Sequence, residues 1–128
     1  MTEASLQRGL LQALRAAFPK FVIFKHSEVL FSGVADISIT GNKITSWLEL
    51  KLAKPVIKSK GIQQLMMQRL ARAGHAYYVV YTEKNMTMET SVVRPIDMGV
   101  VRVSQGVDHL MVVDFVRGLH TYDPRHFT

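Results

Sequence analysis

SGVADISITGNKITSWLELKLAK, residues 32–54, is the stretch on which the fold turns. Apolar residues alternate in two arms: Ala35, Ile37 and Ile39 in the first, and Ile44, Leu48, Leu50 and Leu52 in the second, with Ser46 the one gap. Period-two alternation marks half-buried strands, and Gly41-Asn42 between the arms is a turn signal. With Gly41-Asn42 as a two-residue loop, Thr40 faces Lys43 and Asp36 faces Trp47. Asp36, Trp47, Glu49 and Lys51 then share one face of a hairpin, with Asp36 and Glu49 as diagonal neighbours about 7–8 Å apart. Two carboxylates at that separation reach one cation between them. A three-residue loop breaks this parity, because a one-residue slip moves side chains to the opposite face.

On the N-terminal side of the hairpin, Leu6, Leu10, Leu14 and Ala17 recur at helical spacing. Thr2 is a suitable N-cap and Pro19 a stop, which predicts a helix over residues 2–17. Glu3 falls in its first turn, where the helix dipole favours a carboxylate. Phe21 to His26 (FVIFKH) is a short apolar strand. His26 at its end is a candidate for contact with a phosphate or leaving group, the alternative being a structural or solvated histidine.

On the C-terminal side, Pro55 to Gly61 is a basic loop. Ile62 to Ala73 is a helix with Ile62, Met66, Leu70 and Ala73 on one face, Gln64, Gln68, Arg69 and Arg72 over much of the rest, and Gly74 as terminator. Met66 and Met67 read as core filling. Ala76 to Tyr81 (AYYVVY) is too apolar for a sheet edge. The order helix, three strands, helix, strand gives an α/β (α+β) fold with a central sheet flanked by helices. From Glu83 onward the pattern weakens. Residues 91–94 extend the sheet, 100–103 (VVRV) form a strand or a short helix, and Asp108 caps a helix through Leu119. His120, Asp123 and His126 are a candidate metal set, against the plainer reading of a tail with turn residues and histidines. Without repeats or a linker, the 128 residues are expected to form one domain, with a core over about 2–82 and an extension over 83–128.

Gly33-Val34-Ala35-Asp36, then twelve intervening residues, then Glu49-Leu50-Lys51 resembles the motif of the PD-(D/E)XK nucleases. The downstream helix carrying Gln63 and ending in Ala73-Gly74 resembles the VRR-NUC branch of that superfamily, which includes small stand-alone, Holliday-junction-resolvase-like nucleases of phage and bacterial origin. The resemblance covers roughly Glu3 to Thr82. The proline that usually precedes the aspartate is Ala35 here; proline there shapes the strand entrance and supplies no catalytic atom.

The resemblance implies a restriction-endonuclease-like αβββαβ core with a mixed sheet, and a metal-dependent DNA endonuclease. It implies Asp36, Glu49 and the backbone carbonyl of Leu50 as ligands of Mg²⁺, with Mn²⁺ as a substitute. Lys51 would position the attacking water or stabilise developing charge, with Gln63 orienting either. Gln63 fits best when counted back from Ala73-Gly74, and Gln64 stays open on spacing alone. The first helix of the superfamily often contributes an acid, which offers Glu3 a second role beside capping, with Glu28 as a substitute. Branched or flapped DNA and a homodimer that places two sites on two strands are also implied.

The net charge is +6, and its position is informative. Between Leu50 and Thr82 there are six cations (Lys51, Lys54, Lys58, Lys60, Arg69 and Arg72) and no acid, which leaves 10 of each sign elsewhere. A single-sign stretch beside a carboxylate pair points to a polyanion and makes Lys54, Lys58, Lys60, Arg69 and Arg72 nucleic-acid-binding candidates. The bland reading is a solvated basic helix. The absence of cysteine excludes disulfides, thiolate catalysis and cysteine-based zinc sites. No GxxxxGK[ST], GxSxG or HExxH occurs. No apolar run approaches the roughly 18 residues of a membrane span, so a soluble cytoplasmic protein is expected, and the resemblance implies a bacterial or phage origin. The competing functional reading is a catalytically inactive nucleic-acid-binding module of the same fold.

Overall fold

The computed structural model describes residues 1–26, 35–53 and 61–121, except for the Ile62 side chain. Residues 54–60, with Lys54, Lys58 and Lys60, lie outside the described residues, as do Glu28, Gly33, Val34, Asp123 and His126. The element order is α1 (Glu3–Ala17), β1 (Val22–Lys25), β2 (Ile37–Gly41), β3 (Ile44–Ala53), α2 (Gly61–Ala73), β4 (His75–Lys84), β5 (Thr87–Val93), β6 (Val100–Gln105) and α3 (His109–Leu119). The strands form one mixed sheet in chain order. β3 and β4 are parallel and all other neighbours antiparallel. α2 is the crossover that a parallel pair requires. The expected αβββαβ order is present, and residues 100–105 are a strand rather than a helix.

α1 starts where Thr2 and Ser5 close a capping box, each side chain bonded to the other's backbone N–H at 3.1 Å. Such a cap is worth about 1 kcal/mol. Leu6, Leu10, Leu11 and Leu14 of α1 and Val112, Val113 and Val116 of α3 bury one face of the sheet through Ile37, Ile39, Leu48, Leu50, Val79, Tyr81 and Val92. The opposite face carries a smaller core, Met67 of α2 over Ala53, Ala76, Tyr78, Val80 and Val93, with Trp47, Leu70 and Ala71 at its margin. Small residues on that face let α2 approach β3 and β4 closely.

Two expectations are corrected. The hairpin turn is Asn42-Lys43, both at positive φ (53° and 67°), not Gly41-Asn42. Ile37 pairs with Leu48 and Gly41 with Ile44, a shift of two residues from the expected register. A shift of two preserves parity, so Trp47, Glu49 and Lys51 stay on one face. Gly41 is a strand residue whose missing Cβ makes room for Phe21: an added Cβ would lie 2.3 Å from that ring. The second correction concerns α2. Its inner face is Gln63, Met67, Leu70 and Ala71, while Met66 is half-buried and Ala73 exposed. Apolar periodicity turned the helix wrongly because a polar residue, Gln63, lies on the buried face.

Candidate active site

β2 begins at Ile37, opposite Leu48, while β3 runs on to Ala53. Asp36 extends the β1–β2 ladder by one step, its carbonyl accepting the His26 N–H at 2.7 Å. Beyond that point side chains serve the β3 edge. Asp36 Oδ2 accepts the Leu50 N–H at 2.9 Å, and Glu3 Oε1 accepts the Leu52 N–H at 3.0 Å. Two carboxylates are thereby held along one strand edge, their anchor points two residues or about 6.6 Å apart. In an antiparallel ladder a residue's N–H and C=O point to the same neighbour. The Leu50 carbonyl therefore opens on the edge where Asp36 and Glu3 are anchored. Glu3 is thus more than an N-terminal charge on α1.

Glu49 follows Leu48 as Asp36 precedes Ile37, so the two stand across from each other rather than on a diagonal. Directly opposed residues lie about 4.5–5.5 Å apart at Cα. Glu49 points to the α2 side and is only 1% exposed. Its β4 neighbour is the fully buried Tyr78. Lys51, next but one on the same face, donates from Nζ to Gln63 Oε1 at 2.9 Å. Gln63 is buried and Gln64 exposed, so tertiary packing selects Gln63 as the residue that meets the lysine. The first turn of α2 holds no acid. Its orphan N–H groups and the helix dipole favour an anion there.

Other sequence candidates are placed elsewhere. Arg69 and Arg72 are exposed on α2, about 120° and 180° round the helix from Gln63 at roughly 100° per residue. They are not brought to the carboxylates. His26 is half-buried, with Nε2 2.7 Å from Ser38 Oγ and its ring 5.5 Å from that of Trp47. His120 is buried at the end of α3. Its Nδ1–H donates to the Gly41 carbonyl at 3.0 Å, which leaves Nε2 to accept from the Ser46 hydroxyl at 2.8 Å. Burial pushes its pKa below the usual histidine value. Both ring nitrogens serve the hairpin, which weighs against His120 as a member of the candidate metal set.

Among the described residues no group of three or more His, Asp or Glu side chains could hold a metal ion. A cation at the β3 edge would rely on Asp36, Glu49 and the Leu50 carbonyl. That donor set is all oxygen, which suits a hard divalent ion. Among the described residues no helix is long and apolar enough to cross a membrane.

The mixed α+β topology, a six-stranded sheet flanked by helices, matches a restriction-endonuclease-like fold. Among solved structures the chain is similar to Hjc of Archaeoglobus fulgidus, a Holliday junction resolvase from an archaeal hyperthermophile, with a TM-score of 0.54, 13% identity, and coverage of 90% of this chain and 98% of that one. No family model matches the sequence, and no curated protein matches it significantly.

Proposed function

We propose that this protein is a divalent-cation-dependent endonuclease acting on branched or flapped DNA, built as one PD-(D/E)XK-like domain of the VRR-NUC type. The observation that carries the reading is the convergence of Asp36, Glu49, Lys51 and Gln63 beside the β3 edge. The likeness in fold to a resolvase supports it. Asp36 keeps one carboxylate oxygen for a cation while the other is anchored on Leu50. Glu49 supplies the second charge from a buried position, where water competes least.

Mg²⁺, or Mn²⁺ in its place, would supply positive charge at the phosphoryl oxygens and lower the pKa of the attacking water. Lys51 holds its ammonium against Gln63 and has three donors, so it can serve the glutamine and a phosphate together. Its charge is placed to stabilise what develops on the phosphorus oxygens. Lys54, Lys58 and Lys60 follow β3 directly and are assigned to the DNA backbone. A homodimer would present two such sites to the two strands of a junction.

The deciding experiment is a divalent-ion titration with labelled four-way, flapped and linear DNA. Ion-dependent cleavage of the branched forms is expected. Salt-sensitive binding without cleavage under Mg²⁺ and Mn²⁺ would overturn the reading in favour of an inactive binding module.

A further inference from the structure

We propose that Trp47 and the concavity it walls receive an unpaired nucleobase of the substrate, beside the cation site proposed at Asp36 and Glu49; the location relative to the scissile phosphate rests on the nuclease reading above. Trp47 shares the sheet face of Glu49 and Lys51 and precedes Glu49 by two residues, about 6.6 Å along the strand. It is half-buried and lines a concavity of about 680 Å³. That volume lies within the roughly 300–1,000 Å³ of small-ligand pockets. Leu70 adds an apolar surface, and Thr45, His75 and Lys43 add hydrogen-bonding groups and a positive charge at its lining.

The indole also belongs to a series of rings that crosses the sheet. His26 lies 5.5 Å from Trp47, and Phe24, 58% exposed, lies 6.3 Å from His26. Hydroxyls of Ser38, Thr40 and Thr45 lie among them on the same strands. Aromatic rings set among hydroxyls on a sheet face are a surface on which single-stranded nucleic acids stack their bases. The described residues that line the concavity include Lys43 and no acid. This charge favours a polyanion over a second copy of the same basic hairpin. Paired bases are already stacked on each other, so only an unpaired base can use the ring.

Trp47 is the only tryptophan, so its emission reports the site directly. In EDTA, where no cleavage occurs, a duplex with a central run of unpaired thymidines should quench it, and the fully paired duplex should not. Trp47→Leu should weaken binding of the bulged duplex by about 5- to 150-fold, the range of one lost stacking contact, and leave the paired duplex unchanged. Trp47→Phe should keep most of the preference. Equal quenching by both duplexes, a preference that survives Trp47→Leu, or quenching that follows protein concentration without DNA would overturn the proposal. The wild-type titration decides even if Trp47→Leu fails to fold. Preference for the bulge without cleavage of any DNA under Mg²⁺ or Mn²⁺ supports the base site while the nuclease reading fails. Cleavage without that preference removes the base site alone.

Discussion

The carboxylate of Asp36 accepts the backbone N–H of Leu50 at 2.9 Å through one oxygen, which closes the β3 edge and leaves the other oxygen for the proposed cation. The two roles separate by substitution. Asp36→Asn keeps an oxygen for the N–H and removes the charge; it should abolish cleavage and leave the melting temperature nearly unchanged. Asp36→Ala should also abolish cleavage but cost about 1 kcal/mol for the unsatisfied N–H, a loss of about 3–5 °C. Paired thermal melts and cleavage assays check both. Equal melting temperatures for the two variants would show that the bond does not matter to the fold.

Glu49 is a buried carboxylate whose charge costs desolvation in the metal-free protein. Glu49→Gln, which keeps the shape of the side chain and removes its charge, should abolish turnover. Millimolar Mg²⁺ should raise the melting temperature of the wild type, since a ligand of the folded state stabilises it, and should do nothing for Glu49→Gln. A Mg²⁺-induced rise of equal size in both would remove Glu49 from the ligand set.

Lys51 and Gln63 form a contact that Gln64 does not share. Gln63→Ala should lower kcat by about 10- to 100-fold, as loss of a residue that orients a reacting group does, whereas Gln64→Ala should stay within about twofold. Lys51→Ala should lose turnover and retain the Mg²⁺-induced rise in melting temperature, because the role proposed for it lies in the transition state. Single-turnover kinetics on junction DNA measure all three.

DNA affinity should fall with salt at a slope of about −0.9 per phosphate neutralised. Lys54→Ala, Lys58→Ala and Lys60→Ala together should flatten the slope by about one unit per true contact. Arg72→Ala should change it little, since Arg72 is on the side of α2 opposite Gln63. The control triple Lys84, Arg94 and Arg102 should also do little. Arg94 is paired with Asp97 at 3.0 Å, and Arg102 lies 3.9 Å from Asp114. Indistinguishable slopes for the two triples would leave the net charge as general solubility only.

His120 carries part of the pH dependence that the fold itself predicts, alongside His109, which burial also pushes below the usual histidine value. The pKa of His120 is lowered by burial, so below the ordinary value of about 6.5 the unfolded chain takes up a proton before the folded one does. Stability contributed by the neutral ring is complete above about pH 6.5 and declines as pH falls towards the lower folded value. His120→Leu should flatten that part of the stability curve, while costing stability at pH 8 through the lost bonds to Gly41 and Ser46. Urea melts between pH 5 and 8 follow both effects.

Elements and faces were legible because they are written in local periods. Alternation in residues 35–39 and 44–52 marked both arms of the hairpin and the face shared by Trp47, Glu49 and Lys51. Leu6, Leu10 and Leu14 marked α1 with Thr2 as its cap, and Asp108 marked the start of α3. The charge segregation between Leu50 and Thr82 was read by counting. The turn was misplaced because glycine has two uses, positive φ and close approach, and only the presence of Phe21 over Gly41 tells them apart.

Sequence by itself determined which residues alternate, which cap, and which carry charge, since each depends on neighbours a few positions away. Tertiary structure alone decided that Gln63 rather than Gln64 meets Lys51, that Arg69 and Arg72 turn away, and that Glu3 reaches Leu52 across 49 positions of chain. It also decided that His120 closes on Gly41 and Ser46. These outcomes depend on the rotation and contact distance of elements packed far apart in sequence. No local period encodes that information, because it exists only once the helices are seated on the sheet.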